Sequence, residues 1–260
     1  MHFSFPVALL SGLALASPLN LRQAKPPAFF LAGDSTTAAP SGSGGGWGNG
    51  FLRTLVKGAN GTNFGHNGAT TVSFVAGGDW ANVLSAVKSN KSTFDPYVTI
   101  QFGHNDQKAA ANISIADFEA NLSKMVSDVR AAGGTPILVT SLSRRNFNSS
   151  GEVIEDLAPQ VAATISVGGQ TSTTVVHLNE ESTKYLDAIG QADAAQYNRI
   201  ADDFTHLNSA GETLFGQMVG WLVTQSNLAT KVQDFIKLNG TIVKDIEAGV
   251  FILPANATGV

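Results

Sequence analysis

A serine hydroxyl and a distant Asp-x-x-His pair are the side chains of this sequence best suited to chemistry. Ser35 follows the apolar residues 29–32, and a long glycine-rich segment begins soon after it. Asp203 lies three residues ahead of His206. A serine hydroxyl becomes a good nucleophile when an imidazole removes its proton and a carboxylate holds that imidazole in the right tautomer. We predict that Ser35 is the nucleophile, His206 the base and Asp203 the base-orienting acid.

Two further blocks offer hydrogen-bond donors for a negatively charged oxygen. Attack on an ester carbonyl creates a tetrahedral oxyanion, which is stabilised by donors already in position. Gly68 lets a backbone N–H approach a substrate closely, and Asn105 carries a side-chain amide. Together with the backbone N–H of Ser35, these two residues form our predicted oxyanion hole.

Each block also has an ordinary structural explanation when it is taken alone. Taken alone, Asp203 is more typical of a turn or helix cap, and His206 of a surface position. Gly68 suits an ordinary turn, and Asn105 suits a helix cap after a strand. The four blocks together, in this order, indicate a serine esterase.

Strand and helix patterns alternate along the chain, which predicts an α/β domain with a parallel sheet. Continuous apolar strands indicate burial on both faces. The predicted strands cover residues 29–32, 62–65, 97–102, 136–140 and 174–178. The clearest helical patterns cover residues 115–132 and 210–224, and residues 180–200 hold one or two helices. Ser35 and residues 103–106 both follow strands, where ligands bind in such sheets.

The blocks resemble those of the SGNH, or GDSL-type, hydrolases. Residues 33–35 match the first block, Gly68 the second, residues 103–106 the third and residues 203–206 the last. The resemblance implies a flavodoxin-like, three-layer α/β/α sandwich with about five parallel strands. It also implies hydrolysis through an acyl-enzyme without a cofactor or a metal ion.

Within that superfamily the chain is similar to the secreted rhamnogalacturonan acetylesterases. The similarity rests on residues 33–37, the glycine-rich segment with Gly46-Trp47-Gly48, residues 102–106 and the Asp-x-Thr-His ending. The sequence lacks the arginine of that group's second block and carries Phe204 where the group often has histidine. Because the blocks contain no Arg or Lys, we expect a neutral or weakly acidic polysaccharide as the substrate, unless a basic side chain from a flanking loop reaches the site. The candidates for that are Arg53, Lys57, Arg144 and Arg145.

Three functions therefore stay open. The leading hypothesis is a secreted esterase that removes acetyl groups from plant cell-wall polysaccharide. A broad short-chain carboxylesterase or lipase is the second, and a non-catalytic carbohydrate-binding protein is the third. The presence of Ser35, Asp203 and His206 counts against the last.

Composition limits the partners and the compartment. The net charge of −4 and the lack of a basic run argue against nucleic-acid binding. The sequence contains no apolar run long enough to predict stable membrane insertion. Residues 1–16 are typical of a signal peptide, which leaves residues 17–260 as a single, monomeric extracellular domain with a less patterned extension from about 226. Seven sequons are candidate glycosylation sites: Asn60, Asn90, Asn112, Asn121, Asn148, Asn239 and Asn256.

Two further expectations concern the surroundings of the site. We expect the glycine-rich residues 41–50 to form a flexible loop beside the nucleophile. We expect His104 to support its block by hydrogen bonding and His66 to belong to a loop. The apolar residues of the C-terminal extension, between 235 and 246, are predicted to pack on the domain or against a partner.

Overall fold

The computed structural model describes residues 1–2 and 25–254. Residues 3–16 of the predicted signal peptide, and the sequon at Asn256, lie outside the described residues. Within the described ranges, no helix is long and apolar enough to cross a membrane.

A parallel five-stranded sheet forms the centre of the described structure and confirms the predicted fold class. Its strands are β1 (Pro27–Gly33), β2 (Asn60–Asn63), β3 (Asp95–Gln101), β4 (Thr135–Val139) and β5 (Thr174–Val176). Their spatial order is β2-β1-β3-β4-β5. The chain therefore reverses direction across the sheet between β1 and β3, and a ligand crevice opens at such a switch point. Ser35 and Asn105 follow these two strands.

The helices cover both faces of the sheet. They are α1 (Gly48–Leu52), α2 (Thr71–Ala76), α3 (Asp79–Asn90), α4 (Ile115–Ala132), α5 (Ala158–Thr171), α6 (Leu178–Ala194), α7 (Ser209–Gln225), α8 (Ala229–Val232) and α9 (Gly240–Ala248). Alternate residues of β1 point to opposite faces: Phe29 and Leu31 join one buried cluster, and Phe30 joins the other. The first cluster includes residues of α6, α7 and α9, and the second includes residues of α3, α4 and α5. The result is the three-layer sandwich.

Local sequence signals explain the helix boundaries. Ser114 caps α4 in a reciprocal pair with Asp117, and Gly133 ends the helix with a φ of 96°. The predicted range 115–132 is therefore confirmed. The range predicted for one or two helices resolves into α6, which is broken at Gly190 (φ 76°), and a short 3₁₀ turn at Ala195–Tyr197.

The second strand lies two residues earlier than predicted. The sequence pattern favoured residues 62–65, whereas the register pairs Ala28 with Asn60 and Leu31 with Asn63. This strand is at the edge of the sheet and is only partly buried, so it lacks the apolar run that located the others. The next residues, from Phe64 onward, turn toward the site.

The C-terminal extension packs on the α7 layer. Ile236, Ile242 and Ile246 are buried in the same cluster as Phe215 and Met218 of α7. The Tyr185 hydroxyl donates to Val250 O at 3.2 Å. Of the two predicted arrangements for this segment, the structure has the one in which it covers the domain.

Candidate active site

A chain of hydrogen bonds joins the side chains of Ser35, His206 and Asp203. His206 Nε2 is 2.8 Å from Ser35 Oγ, and His206 Nδ1 is 2.9 Å from Asp203 Oδ2. The two ring nitrogens therefore face opposite partners, as the three-residue spacing predicts. Ser35 is almost fully buried, and the His206 side chain is 20% exposed, so the imidazole lies at the surface of the crevice.

The loop around Asp203 holds its carboxylate from several sides. Asp203 Oδ1 accepts from the backbone N–H groups of Thr205 (3.2 Å) and His206 (2.9 Å). Burial on its own raises the pKa of Asp203, but hydrogen bonds from His206 and Arg199 outweigh it and lower the pKa to about 2. The carboxylate is therefore ionised throughout the neutral range and can stabilise an imidazolium at His206. Asp203 forms the turn that its sequence context also suggested.

Two arginines outside the motif blocks, Arg145 and Arg199, support this loop. Arg145 is buried and donates from Nη2 to His206 O at 2.7 Å and from Nε to Asn198 Oδ1 at 2.6 Å. Burial lowers the pKa of Arg145 to about 9, which leaves it charged at neutral pH. Arg199 Nε lies 2.8 Å from Asp203 Oδ2. No sequence signal indicated these contacts, because they depend on how distant segments meet.

Ser35, the predicted nucleophile, lies on a tightly hydrogen-bonded turn. Asp34 Oδ1 accepts from Thr36 N at 2.8 Å and from Thr36 Oγ1 at 2.7 Å. Gln101, at the end of β3, donates from Nε2 to Thr36 Oγ1 at 2.6 Å and accepts from Trp47 Nε1. The turn that presents Ser35 is thus fixed to the neighbouring strand.

The expectation of a flexible glycine-rich loop is wrong for its second half. Gly46 N donates to Ala38 O at 2.9 Å, Trp47 N donates to Thr36 O at 3.0 Å, and α1 begins at Gly48. A Cβ at Gly46 would lie 1.8 Å from Thr36 O. Glycine is therefore required here for close backbone approach, and this segment forms a wall of the nucleophile turn.

A buried Asp-His contact lies behind the nucleophile. His104 Nδ1 is 3.7 Å from Asp34 Oδ2, too far for a hydrogen bond. Neither ring nitrogen of His104 has a hydrogen-bond partner among the described residues, so the hydrogen bonding that we expected in support of its block is absent. Burial raises the pKa of Asp34 to about 6, although hydrogen bonds from Thr36 oppose the shift. Burial also lowers the pKa of His104 well below its ordinary value, so this imidazole is neutral. The pair adds bulk behind Ser35 without forming an ion pair.

The predicted oxyanion donors lie on three blocks, and a hydrogen bond joins two of these blocks. Gly68 has a φ of 78°, which glycine adopts readily, and its N–H donates to no other group within the described part of the chain. Asn105 Nδ2 donates to Ala69 O at 3.0 Å, which joins the third block to the second. One of its two amide hydrogens remains for a substrate. The Ser35 N–H is likewise unengaged among the described residues.

A lysine fixes the orientation of the Asn105 amide. Lys108 Nζ donates to Asn105 Oδ1 at 2.6 Å. A cation on the amide oxygen keeps the NH₂ group facing Ala69 O and increases its strength as a donor. Lys108 lies two residues beyond the third block, where no motif marks it.

Basic side chains therefore surround blocks that contain none themselves. Besides Lys108 and Arg199, Arg144 donates from Nε to Thr205 Oγ1 at 3.2 Å and pairs with Asp156 at 2.5 Å. Charge near the site cannot be judged from the blocks alone. The absence of Arg and Lys from them no longer supports the expectation of a neutral substrate.

A shallow pocket borders Gly68. His66, which we expected to be a loop residue, is exposed there and lies 2.7 Å from Asp79 Oδ2. The pocket is lined by His66, Asn67, Gly68, Ala69, Ser73, Gly77 and Asp79. Among the residues that the structure describes, no group of three His, Asp or Glu side chains is arranged to hold a metal ion.

The sequon asparagines differ in accessibility. Asn90 and Asn121 are partly buried, and their amides donate to Ala86 O (2.9 Å) and Thr71 Oγ1 (3.0 Å). The other sequon asparagines of the described ranges are exposed: Asn60, Asn112, Asn148 and Asn239.

Fold and sequence together define the class of this protein. Residues 31–214 match the model of the GDSL-like Lipase/Acylhydrolase family, so the chain belongs to that family and is a carboxylic ester hydrolase. The matched range includes Ser35, Gly68, Asn105, Asp203 and His206.

The chain is also similar to individual proteins, one by sequence and two by structure. The chain is 28% identical to the rhamnogalacturonan acetylesterase RhgT of Bacillus subtilis (strain 168) over 225 residues, which is 80% of this chain and 94% of that protein. Among solved structures, the Bacillus subtilis protein YXIM superposes with a TM-score of 0.67 at 22% identity, over 78% of this chain and 57% of that one. Axe2, an acetylxylan esterase from Geobacillus stearothermophilus, superposes with a TM-score of 0.54 at 19% identity, over 78% of this chain and 94% of that one. The two superpositions show a shared fold.

Proposed function

We propose that this protein is an acetylesterase that works through an acyl-enzyme on Ser35. The observation that carries the proposal is the series Ser35 Oγ, His206 Nε2, His206 Nδ1 and Asp203 Oδ2, with separations of 2.8 and 2.9 Å. An activated serine in the carboxyl-end crevice of an acylhydrolase fold is suited to nucleophilic attack on an ester.

The proposed reaction has two halves. Ser35 Oγ attacks the acyl carbon while His206 Nε2 takes its proton, and the carbonyl oxygen becomes an oxyanion facing the N–H groups of Ser35, Gly68 and Asn105. Collapse breaks the bond to the alcohol oxygen, which takes the proton from His206. Water then attacks the acyl carbon with His206 as its base, and the acid leaves as Ser35 recovers its proton.

Loss of the Ser35 hydroxyl is the direct test of this chemistry. We expect Ser35→Ala to lower kcat on a chromogenic acetate ester by on the order of 10⁶, as loss of a triad nucleophile does in subtilisin. Ser127→Ala, an exposed change on α4 that removes only a hydrogen bond to Ser123 O within the helix, serves as the matched control. Retention of a tenth of the activity by the Ser35 variant would remove Ser35 from its role.

The acetyl preference is supported by the relative whose name specifies acetyl esters. The family description also includes lipases, and Val72, Val75 and Phe204 are apolar side chains exposed on segments that adjoin Gly68 and His206. These residues favour a broad carboxylesterase or lipase as the second candidate. A chromogenic ester series from acetate to decanoate separates the two: kcat/KM falls steeply beyond acetate for an acetylesterase and is maintained or rises for a lipase.

For the natural substrate we propose an acetylated plant cell-wall polysaccharide with a uronate-containing backbone. This proposal replaces the neutral or weakly acidic polysaccharide expected from the sequence. The relative named as a rhamnogalacturonan acetylesterase supports it, and so does the exposed Lys108 beside Asn105, since an ammonium can pair with a uronate carboxylate. Acetate release should be higher on acetylated rhamnogalacturonan than on acetylated xylan or mannan. The opposite preference would restore the neutral substrate.

Export and glycosylation are part of the proposal. The apolar leader and the exposed sequons at Asn60, Asn112, Asn148 and Asn239 support a secreted glycoprotein. On expression in a eukaryotic host, the protein should enter the medium with Ser17 at its amino terminus and lose mass on treatment with an N-glycosidase. Cell-retained protein that keeps residues 1–16 would contradict this.

A further inference from the structure

Arg199 joins the acid of the triad to the loop that follows the nucleophile. We propose that Arg199 is a positioning residue. It holds the Asp203–His206 pair in place beside the loop that follows Ser35, and it places a positive charge near the imidazole of His206. This inference rests on the proposed function of Ser35, Asp203 and His206.

The guanidinium has one contact on each side of the crevice. Arg199 Nε lies 2.8 Å from Asp203 Oδ2, the same oxygen that lies 2.9 Å from His206 Nδ1. Arg199 Nη1 donates to Gly42 O at 2.7 Å. Gly42 is in the loop after Ser35, so one side chain bridges two segments that are 157 residues apart.

Neighbouring backbone contacts show that this bridge is part of a closed arrangement. Gly45 N donates to Ser35 O at 3.3 Å, and Leu207 N donates to Gly45 O at 2.8 Å. Arg199 N donates to His206 O at 3.0 Å. The loop after the nucleophile and the loop that carries the base are thus joined twice, by backbone near Gly45 and by the Arg199 side chain at Gly42.

Arg199 differs from the other arginine of this loop in what it touches. Arg145 is buried, and around the triad it contacts only the backbone carbonyls of His206 and Asp203. The Arg199 side chain is 25% exposed and contacts the carboxylate itself. Loss of Arg145 leaves buried groups unpaired and threatens the fold, whereas loss of Arg199 mainly changes the geometry and charge at Asp203.

That charge has a predictable effect on the pH dependence of activity. Among the described residues, the ionisable groups around His206 include Asp203, Arg199, Arg144, Arg145 and the neutral His104. The positive charge of Arg199 opposes the protonated imidazole. Its removal stabilises the protonated form, so the acid limb of the kcat/KM–pH profile moves to higher pH.

The experiment compares Arg199→Met and Arg199→Lys with the wild type. We expect Arg199→Met to lower kcat about 10- to 100-fold, the scale of a small misplacement of catalytic groups, with KM within about twofold. Its acid limb should move to higher pH. Arg199→Lys should restore the position of the acid limb but only part of kcat, because an ammonium does not reproduce the two-sided contact of a guanidinium.

Arg130→Met is the matched control. Arg130 is an exposed arginine on α4 that donates to Ser172 O and Thr173 Oγ1 and leaves the proposed triad intact. Its kinetics and pH profile should equal those of the wild type. An Arg199→Met variant with an unshifted acid limb, whatever its kcat or melting temperature, would overturn the inference. If Ser35→Ala itself stayed active, the proposed function would fail instead.

Discussion

Two aspartates lie next to Ser35 and His206, and their surroundings shift the pKa values of their carboxyl groups in opposite directions. Asp34 precedes Ser35, is fully buried, and has its pKa raised to about 6, chiefly by burial. Asp203 pairs with His206, is partly exposed, and has its pKa lowered to about 2 by hydrogen bonds that outweigh its burial. One oxygen of Asp34 has no hydrogen-bond partner among the described residues, whereas both oxygens of Asp203 have several.

The difference assigns separate tasks to the two carboxyl groups. A group that must stabilise an imidazolium has to remain charged while the reaction proceeds, and the loop of Asp203 supplies the donors that keep it so. Asp34 shapes the turn through Thr36, a task that needs an acceptor oxygen but no charge. Sequence proximity to the nucleophile is therefore a poor guide to which carboxylate takes part in chemistry.

The largest effect expected from this contrast is on catalysis at Asp203. Asp203→Asn should lower kcat by about 10⁴, because the amide neither stabilises the imidazolium nor fixes the Nδ1–H tautomer. This loss is smaller than that of Ser35→Ala. Steady-state kinetics on an acetate ester measure it, and the exposed neighbour Asp202→Asn is the control for a charge change in the same loop. A loss below about tenfold would leave Asp203 with its turn role only.

A smaller loss is expected on the opposite side of the crevice, at Asn105. Asn105→Ala should lower kcat by about 10²–10³ with little change in KM, because the oxyanion exists only near the transition state. Lys108→Met should give a smaller fall in kcat by releasing the amide, and the exposed Lys88→Met should give none. A rise in KM at constant kcat would make Asn105 a substrate-binding residue instead.

The smallest effect is on stability, at Asp34. Because its pKa is raised in the folded state, its contribution to stability is present below the ordinary value of 3.8 and is lost as the pH rises through about 6. Asp34→Asn keeps an acceptor for Thr36 and has no charge to bury. Relative to the wild type, the variant should gain up to about 3 kcal/mol of unfolding free energy between pH 4 and pH 8.

Denaturant unfolding of both proteins at the two pH values measures this difference, with the exposed Asp234→Asn as a control for surface charge. If the unfolding free energy changed equally between the two pH values in Asp34→Asn and in the wild type, ionisation of Asp34 would not destabilise the fold.

The parts of the molecule that follow from local sequence were predictable. Helix α4 was predicted to the residue because its apolar residues recur at three- and four-residue spacing and Gly133 follows them; in the structure Ser114 and Gly133 cap its ends. Ser35, Asp203 and His206 were predicted to meet because a nucleophile after one strand and a three-residue Asp-to-His spacing suit a known chemistry. The structure brings them together as expected, while their catalytic roles stay predictions.

The parts that depend on distant contacts were not predictable from one sequence. Arg199 reaches Gly42 across 157 positions, and Lys108 lies outside the block that it supports. The expectation of a neutral substrate counted charges only within the blocks, so the structure removes its basis, while the substrate itself stays a prediction. The edge strand β2 was misplaced because it is only partly buried. His104 was expected to support its block by hydrogen bonding, but neither of its ring nitrogens has a partner among the described residues.

Covalent labelling of the native enzyme tests the central claim most directly. A fluorophosphonate reacts with a serine only when a base has activated it, so mass spectrometry of the labelled protein identifies the nucleophile. We predict a single adduct on the peptide that contains Ser35, lost in Ser35→Ala and strongly slowed in His206→Ala. An active enzyme that carries no adduct, or carries it on another residue, would contradict the account.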